Sequence, residues 1–221
     1  MHILALASQK GGVGKTTLAG HLAVEAEACG HGPVALIDTD PQGSLAAWWN
    51  GRQAETPLFA KATIGELAQR IEALRRHGIA LLVVDTPPAI TASISAVVEV
   101  SDLVIIPTRP SPHDLRAVGA TVDLVEKSGR PMVFVVNGAT PRARITADAA
   151  VALSQHGTVA PATVHQRVDF ASSMIDGRTA REINPESNSA REIAELWAYV
   201  SKRLSRTKGQ EHYGQPQPLP A

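Results

Sequence analysis

The run KGGVGKTT at residues 10–17 constrains the fold of this chain more than any other feature. It stands between an apolar run at residues 3–7 and a stretch of helical composition at residues 16–29. Glycines let a backbone approach a ligand closely, and successive amide groups at a helix N-terminus can bind a chain of phosphates. Strand, glycine-rich loop and helix in this order predict a phosphate-binding loop inside an α/β fold.

Within this loop, the Lys15 side chain is expected to reach the β- and γ-phosphates of a nucleotide, and the Thr16 hydroxyl to bind Mg²⁺. The common pattern G-x-x-x-x-G-K-S/T needs a glycine five places before Gly14, where this chain has Gln9. The strict pattern therefore fails, and a second lysine, Lys10, stands at the start of the loop. The nucleotide-binding residues predicted in the loop are Gly11, Gly12, Val13, Gly14, Lys15, Thr16 and Thr17.

Two acidic motifs follow apolar runs further along the chain. The sequence DTDPQG at residues 38–43 comes after the run at 34–37, and Asp85 ends a continuous, branched run at 79–84. Such a run is typical of a strand buried on both faces, and carboxylates at the carboxyl ends of parallel strands lie beside the phosphate loop. Asp85 is predicted to hold Mg²⁺ through water. An aspartate that ends a strand or caps a helix is also an ordinary structural feature.

Short apolar runs alternate with helical stretches along the rest of the chain. This rhythm predicts a mostly parallel, twisted sheet with helices on both faces. Strands are predicted at residues 3–7, 34–37, 79–84, 103–106, 132–136 and 159–164. Pro107 is expected to end its strand and Asp114 to cap the helix that follows it. Ser189 and Glu192 fit a capping box that opens a terminal helix with one apolar stripe.

Length and charge limit the classes of protein. A chain of 221 residues suits one domain, predicted at 1–208, with a polar, proline-rich and disordered tail at 209–221. Equal numbers of basic and acidic residues, 21 each, exclude a strongly basic protein that coats nucleic acid. Cys29 is the only cysteine, so no intrachain disulfide forms. No signal peptide or membrane-spanning run is evident, which predicts a cytoplasmic location.

The three motifs together resemble those of one family. The sequence K-G-G-x-G-K-T at residues 10–16 is similar to the deviant Walker A box of the ParA/MinD superfamily. D-x-D-P-Q-G and D-T-P-P resemble that superfamily's two acidic boxes. The resemblance spans residues 1–205 and is to small ParA-type partition ATPases, in which no helix-turn-helix domain precedes the ATPase domain. It implies a P-loop ATPase that uses ATP and Mg²⁺.

The resemblance also implies roles for individual residues. Lys10 would be the signature lysine, which reaches the phosphates of the other subunit in a nucleotide-sandwich dimer. It would act in catalysis together with Lys15 and Asp40, the latter orienting or activating the attacking water. Asp38 would organise Mg²⁺ and the loop, so the metal site would comprise Thr16, Asp38 and Asp85.

A proline-rich loop and one asparagine complete the nucleotide site implied by the resemblance. The segment PTRPSPHD at 107–114 is similar to a loop that makes nucleotide and dimer contacts in small partition ATPases. Its expected contact residues are Pro107, Thr108 and Pro110. Asn137, at the end of a predicted strand, matches a position that touches adenine, although the residues after it depart from the family's motif.

Members of the family bind DNA without sequence preference as ATP-bound dimers, mostly through basic residues in the C-terminal part. Residues 165–208 hold eight basic and six acidic residues, which is a thin surplus for one chain. A dimer doubles the phosphate contacts, which gives a physical reason for DNA binding to depend on ATP. The DNA-binding candidates are Arg167, Arg178, Arg181, Lys202, Arg203 and Arg206.

The leading hypothesis is therefore an ATP-dependent switch that positions cargo on the nucleoid, released by a ParB-like or other adaptor protein that stimulates slow hydrolysis. The sequence does not distinguish whether this cargo is a plasmid, a chromosome, a carboxysome or a chemoreceptor cluster. The alternative is a membrane-associated positioning ATPase similar to MinD, although the acidic Glu192 and Glu195 on the terminal helix argue against membrane contact. A metabolic enzyme is the third candidate, and a single cysteine per chain excludes an iron–sulfur relative.

Overall fold

Seven parallel strands form the centre of the molecule, in the order β3-β2-β4-β1-β5-β6-β7. The computed structural model describes residues 1–88 and 91–211. The strands are β1 (His2–Leu6), β2 (Val34–Asp38), β3 (Leu58–Phe59), β4 (Leu81–Asp85), β5 (Leu103–Thr108), β6 (Met132–Ala139) and β7 (Val164–His165). The predicted fold class is thereby confirmed.

Helices connect the strands and cover the sheet on both faces. They are α1 (Lys15–Ala28), α2 (Ser44–Asn50), α3 (Leu67–Arg76), α4 (Thr91–Glu99), α5 (Pro112–Ser128), α6 (Arg144–Ser154), α7 (Val168–Ser173), α8 (Ala180–Ile183) and α9 (Asn188–Glu211). A single turn of 3₁₀ helix at Ile64–Glu66 leads into α3, and another at Met174–Asp176 follows α7.

The sheet separates two apolar clusters because successive side chains of a strand point to opposite faces. In β1, Leu4 and Leu6 pack into the cluster covered by α1 and α9, whereas Ile3 and Ala5 pack into the cluster covered by α3–α6. Burial on both faces explains why the central strands are continuously apolar rather than alternating. The rigid sheet fixes the positions of the loops at its carboxyl edge.

The acidic motifs converge with the phosphate loop at that edge. β1 lies between β4 and β5, and Leu6, its last residue, is in register with Asp85. Asp38 is in register with Asp85 on the other side of β4. The chain runs from β1 toward β2 on one side and later to β5 on the other, which opens a crevice at this point.

Two predicted boundaries were wrong for local reasons. Pro107 does not end its strand, because β1 pairs with β5 only as far as Ile105, so the missing N–H of Pro107 interrupts no hydrogen bond on that side. Asp114 does not cap α5. Instead, Ser111 is the N-cap, and its Oγ accepts a hydrogen bond from the Asp114 backbone N at 3.1 Å.

The start of α9 also differs from the predicted capping box. Ser187 Oγ accepts a hydrogen bond from the Ala190 backbone N, whereas Ser189 is buried and donates to Asp169. The helix continues to Glu211, three residues into the predicted tail. The rest of that tail, residues 212–221, lies outside the described residues.

Several short elements were not predicted, because they hold too few residues for a period to show. They are β3, α2, α7 and α8. The run at 159–164 forms only a bridge from Val159 to Phe134, followed by the short strand β7.

Candidate functional site

The phosphate loop is fixed by a contact between Gly14 and β6. Gly14 is the N-cap of α1 with φ 92°, and a Cβ there would lie 2.2 Å from Asn137 Nδ2. The Asn137 amide donates to the Val13 carbonyl at 2.6 Å. Only glycine fits both the backbone angle and this approach. Asn137 therefore supports the loop, and its contact with adenine stays a prediction.

Lys15 is buried at the centre of the loop. Its Nζ donates to the carbonyl oxygens of Ser8 at 3.1 Å and Lys10 at 3.4 Å. Burial lowers the pKa of Lys15, while the nearby carboxylates of Asp85 and Asp40 act in the opposite direction. An ammonium group held by carbonyls alone can turn to phosphate oxygens, which bind it more strongly.

Asp85 presents a buried carboxylate oxygen that suits a cation. Its Oδ2 accepts a hydrogen bond from Thr16 Oγ1 at 2.6 Å, but Oδ1 is buried without a hydrogen-bond partner among the described residues. Burial raises the pKa of Asp85 to about 7. A hydroxyl and a carboxylate at the end of a phosphate loop suit Mg²⁺, which takes few protein ligands besides phosphates and water. These residues therefore fit the predicted ion.

Asp38 organises the loop after β2. Its Oδ1 accepts from the Asp40 backbone N, and its Oδ2 accepts from Leu45 N and Ala46 N, all at 3.0 Å. These bonds occupy both carboxylate oxygens and tie β2 to the first turn of α2. Burial raises the pKa of Asp38 despite them. These hydrogen bonds hold the loop, and the contact of Asp38 with a metal stays a prediction.

Asp40 stands at the cavity itself. Its Oδ1 accepts from the Gln42 backbone N at 3.0 Å, and its side chain lines an open cavity of about 750 Å³. The phosphate loop forms one wall of this cavity through Gly11, Gly12, Gly14, Lys15, Thr16 and Thr17. A carboxylate facing bound phosphates is in position to orient a water molecule.

Sequence reasoning missed part of the cavity wall. Trp48 of α2 and the pair Met174 and Ile175 line it opposite the phosphate loop. They come from short segments without periodicity, so only long-range packing brings them there. Arg109 also lines the cavity, whereas Pro107 and Thr108 are buried in β5.

Comparisons with known proteins agree with this geometry. The profile of the CobQ/CobB/MinD/ParA nucleotide binding domain matches residues 4–180. The chain belongs to this family. It is therefore a nucleotide-binding protein of the ParA/MinD group of P-loop ATPases, whose members position or partition cellular cargo.

Relatives in this group are similar over different shares of the chain. The maintenance of carboxysome distribution protein A of Halothiobacillus neapolitanus is 28% identical over 199 residues, which cover 85% of this chain and 90% of that protein. The protein of the same name from Gloeobacter kilaueensis is 43% identical, but over only 54% of this chain and 55% of its own length.

Solved structures show the same fold at low identity. MinD from Pyrococcus horikoshii OT3, complexed with Mg-ADP, superimposes with a TM-score of 0.77 at 17% identity, covering 93% of this chain and 98% of that chain. Apo McdA from Cyanothece gives a TM-score of 0.74 at 16% identity, covering 92% of this chain and 99% of that chain.

Lys10 of this ParA/MinD family member differs from Lys15 in its surroundings. Its side chain is exposed, and within residues 1–88 and 91–211 no carboxylate forms an ion pair with it. The loop thus offers one buried and one exposed ammonium group. Pro110 lies half-buried in the next loop along the edge.

The basic residues of the C-terminal part are mostly neutralised. Arg167 pairs with Glu192 at 2.6 Å, Arg178 with Asp176 at 2.7 Å, and Arg181 with the buried Glu25 at 2.9 Å. Of the other candidates, Arg203 donates to Thr158 at 2.9 Å and lies over the Tyr199 ring, while Lys202 and Arg206 are exposed on α9. The structure does not gather these six residues on one unpaired surface.

The apolar stripe of α9 packs against the sheet. Ile193, Leu196, Trp197 and Val200 are all buried in the cluster that includes α1. Across the described ranges, no helix combines the length and apolar character needed to cross a bilayer.

Proposed function

We propose that this chain is an ATP-dependent, dimerising DNA-binding switch that hydrolyses ATP to segregate or position cargo on the nucleoid. The observation that carries the proposal is the pair of loop lysines. Lys15 is buried beside Asp85 and Asp40, whereas Lys10 extends from the same loop into solvent. A single active site needs only the first lysine, and the second, which is exposed, is available to contact another subunit.

The first step is nucleotide binding at the phosphate loop. Loop amides and the N-terminus of α1 receive the phosphates, and Lys15 exchanges its two carbonyl partners for phosphate oxygens. Mg²⁺ supplies charge neutralisation when it is bound, and Thr16 and Asp85 would hold it. The unpartnered Asp85 Oδ1 supports this assignment.

Hydrolysis requires a water molecule in line with the terminal phosphate. Asp40 lines the cavity and is held by the turn to Gln42, so it can orient or activate that water. Lys10 of a second copy supplies positive charge only after dimerisation, as an arginine finger does in trans. Turnover is slow until an adaptor protein completes the site.

The names of the relatives support a role in positioning but refer to different cargoes. Two of them are named for carboxysome distribution, one is a protein ParA from Rhizobium radiobacter, and one is the chromosome-partitioning ATPase Soj from Thermus thermophilus. The cargo of this chain therefore falls in the class of large assemblies, whether a plasmid, a chromosome or a protein body, with a ParB-like or other adaptor between them.

The central test is retention of the purified chain on duplex DNA with ATP, with ADP and without nucleotide. We expect retention with ATP alone, together with a dimer in sedimentation, because two copies double the phosphate contacts. A matched Lys10→Ala sample should bind ATP but lose the dimer and DNA retention. Equal retention in all three nucleotide states would contradict the proposal.

A membrane-associated switch is the second candidate, favoured by the structural similarity to MinD. It requires an amphipathic helix free to lie on a bilayer. The stripe of α9 is instead buried against α1 and the sheet. Flotation with anionic liposomes in the presence of ATP decides between the two, since clear binding there would reverse their ranking.

A further inference from the structure

Four exposed arginines stand at the carboxyl ends of β5 and β6. Arg109 follows β5, and Arg116 lies on the first turns of α5. Arg142 and Arg144 lie in the loop after β6 and at the start of α6. Because Thr108 and Val136 are paired in adjacent strands, the two loops emerge side by side. We call these four residues the β5–β6 arginine patch.

Carboxylates do not neutralise this patch. Within the described part of the chain, none of its four guanidinium groups forms an ion pair or a hydrogen bond. Two acids lie nearby in the sequence. Asp114 is buried and engaged by Ser111, and Asp148 is exposed one turn after Arg144 without pairing to it.

One arginine of the patch has an unusual backbone conformation. Arg142 has φ 62°, and it is the non-glycine residue with positive φ in the described ranges. Gly138, at φ 66°, lies under the Arg109 side chain, where an added Cβ would be 3.4 Å from Nε. Residues other than glycine rarely adopt a positive φ, and those that do are often found in turns or at functional sites.

The contrast with the C-terminal basic residues decides which surface suits a polyanion. Arg167, Arg178 and Arg181 would have to leave a carboxylate before contacting a phosphate. An unpaired arginine has no such bond to break, so its phosphate contact, with the release of counterions from the DNA, adds directly to affinity. Lys202 and Arg206 are also exposed and without an ion pair among the described residues, but neither lines the nucleotide cavity as Arg109 does.

We infer that the β5–β6 arginine patch holds the phosphate backbone of duplex DNA in the ATP-bound dimer. This inference rests on the proposed function. Arg109 lines the nucleotide cavity, so the patch adjoins the edge from which Lys10 extends. Closure of two copies across that edge brings two patches together, which couples DNA affinity to ATP.

The composition of the patch favours a duplex over other polyanions. Residues 109–116 and 140–148 contain no Phe, Tyr or Trp, so unpaired bases of a single strand have no platform for stacking. Protein interfaces centre on buried anchors that are enriched in aromatic residues, which these segments also lack; their exposed large apolar side chain is Ile145. Contacts from arginines to phosphates carry no preference for sequence.

The test compares two double variants of the full chain with ATP. Arg142→Gly with Arg144→Ala removes half of the patch without touching the nucleotide cavity, and glycine accepts the φ of Arg142. Arg75→Ala with Arg191→Ala is the matched control, since both of these arginines are exposed and paired with acids. Fluorescence anisotropy with two duplexes of unrelated sequence is recorded over a range of salt concentrations.

We expect the patch variant to bind both duplexes about tenfold or more weakly. Its salt dependence should flatten by about 0.9 in the log–log slope for each phosphate that the variant no longer neutralises. The control should bind as the wild type does. Nucleotide binding, the ATP-dependent dimer in sedimentation and the melting temperature should be unchanged in both variants.

Three outcomes would overturn the inference. The patch variant could retain wild-type affinity while Lys202→Ala with Arg206→Ala weakens binding, which would move the site to α9. It could lose the dimer along with DNA, which would assign the patch to self-association. If the wild-type chain with ATP binds neither duplex, the proposed function fails as well, and that failure is recognised because it precedes any substitution.

Discussion

The carboxyl edge of the sheet and the segment from α7 to α9 both carry many charged side chains. The two regions differ in whether those side chains are paired with groups of opposite charge. At the edge, Asp85 Oδ1 has no described partner, and Lys10 and the β5–β6 arginine patch form no described ion pair. In the C-terminal segment, Arg167, Arg178 and Arg181 are each bound to a carboxylate. The charges of the C-terminal segment are satisfied within the fold, whereas those at the edge remain available to a ligand.

One histidine joins the two regions. His21 is buried in α1, where its Nδ1 donates to the Thr17 carbonyl at 2.8 Å and its Nε2 accepts from the Ala180 backbone N at 3.1 Å. Both bonds require the neutral ring with the proton on Nδ1. The first turn after the phosphate loop is thereby tied to the start of α8.

The largest effect is expected from a substitution at the carboxyl edge of the sheet. Lys15→Ala removes the ammonium group that faces the phosphates, and nucleotide affinity should fall at least about 100-fold, as for the loss of a charge-assisted hydrogen bond. Titration with a fluorescent ATP analogue measures this. Lys202→Ala, a loss of the same charge on α9, is the control. Wild-type affinity in the Lys15 variant would show that the edge is not the nucleotide site.

Asp40→Ala should come next in magnitude. If Asp40 orients the attacking water, the ATP hydrolysis rate should fall about 10²- to 10⁴-fold while ATP binding persists. Phosphate release under single-turnover conditions is the measurement, and the variant should remain an ATP-bound dimer on DNA. Hydrolysis at the wild-type rate would remove Asp40 from the mechanism.

The pH dependence of stability tests the link between the regions. Burial lowers the pKa of His21 from its ordinary value of 6.5 to about 4. Between these values the unfolded chain binds more protons, so stability should fall as the pH drops from 6.5 toward 4, by up to about 3 kcal/mol. Urea unfolding at pH 7 and pH 4.5 measures the loss.

His21→Gln is the comparison for that experiment, because glutamine does not titrate and retains an amide donor and a carbonyl acceptor. Its stability is expected to be lower than that of the wild type at pH 7 but to change less with pH. Parallel pH profiles for the two proteins would show that His21 is not the group that titrates.

The smallest effect is expected in the segment from α7 to α9, where the arginines form ion pairs. Arg181→Ala leaves the Glu25 carboxylate buried without its cation, but Arg181 is 38% exposed, so water can replace part of the interaction. A loss of about 1–2 kcal/mol in the free energy of unfolding is expected, with DNA binding unchanged. Adding Glu25→Gln should recover part of that stability. Weaker DNA binding at full stability would instead restore Arg181 as a DNA contact.

The sequence predicted the central strands well, because their local signals are strong. It also singled out the phosphate loop, Asp38 and Asp85, which the fold brings to one edge of the sheet, because glycine spacing and strand-terminal carboxylates are local patterns. Trp48, Met174 and Ile175 were missed, since they reach the cavity only through packing between distant segments. The caps of α5 and α9 were shifted because several Ser and Asp residues compete there, and only backbone geometry selects one.

By itself, the sequence determined the family, the parallel sheet and the identity of the phosphate-binding loop, because these depend on residue spacing along the chain. Only the tertiary structure decided which charges are free. In the sequence, the eight basic residues at 165–208 exceed the acidic ones by two and supplied the DNA-binding candidates. Folding brought carboxylates from α1, α9 and the turn after α7 against three of them, while the arginines after β5 and β6 were left without such partners among the described residues. The pairs Arg167–Glu192 and Arg181–Glu25 depend on distances between segments remote in sequence, and the pair Arg178–Asp176 depends on the local turn, so the pairing exists only in the folded chain.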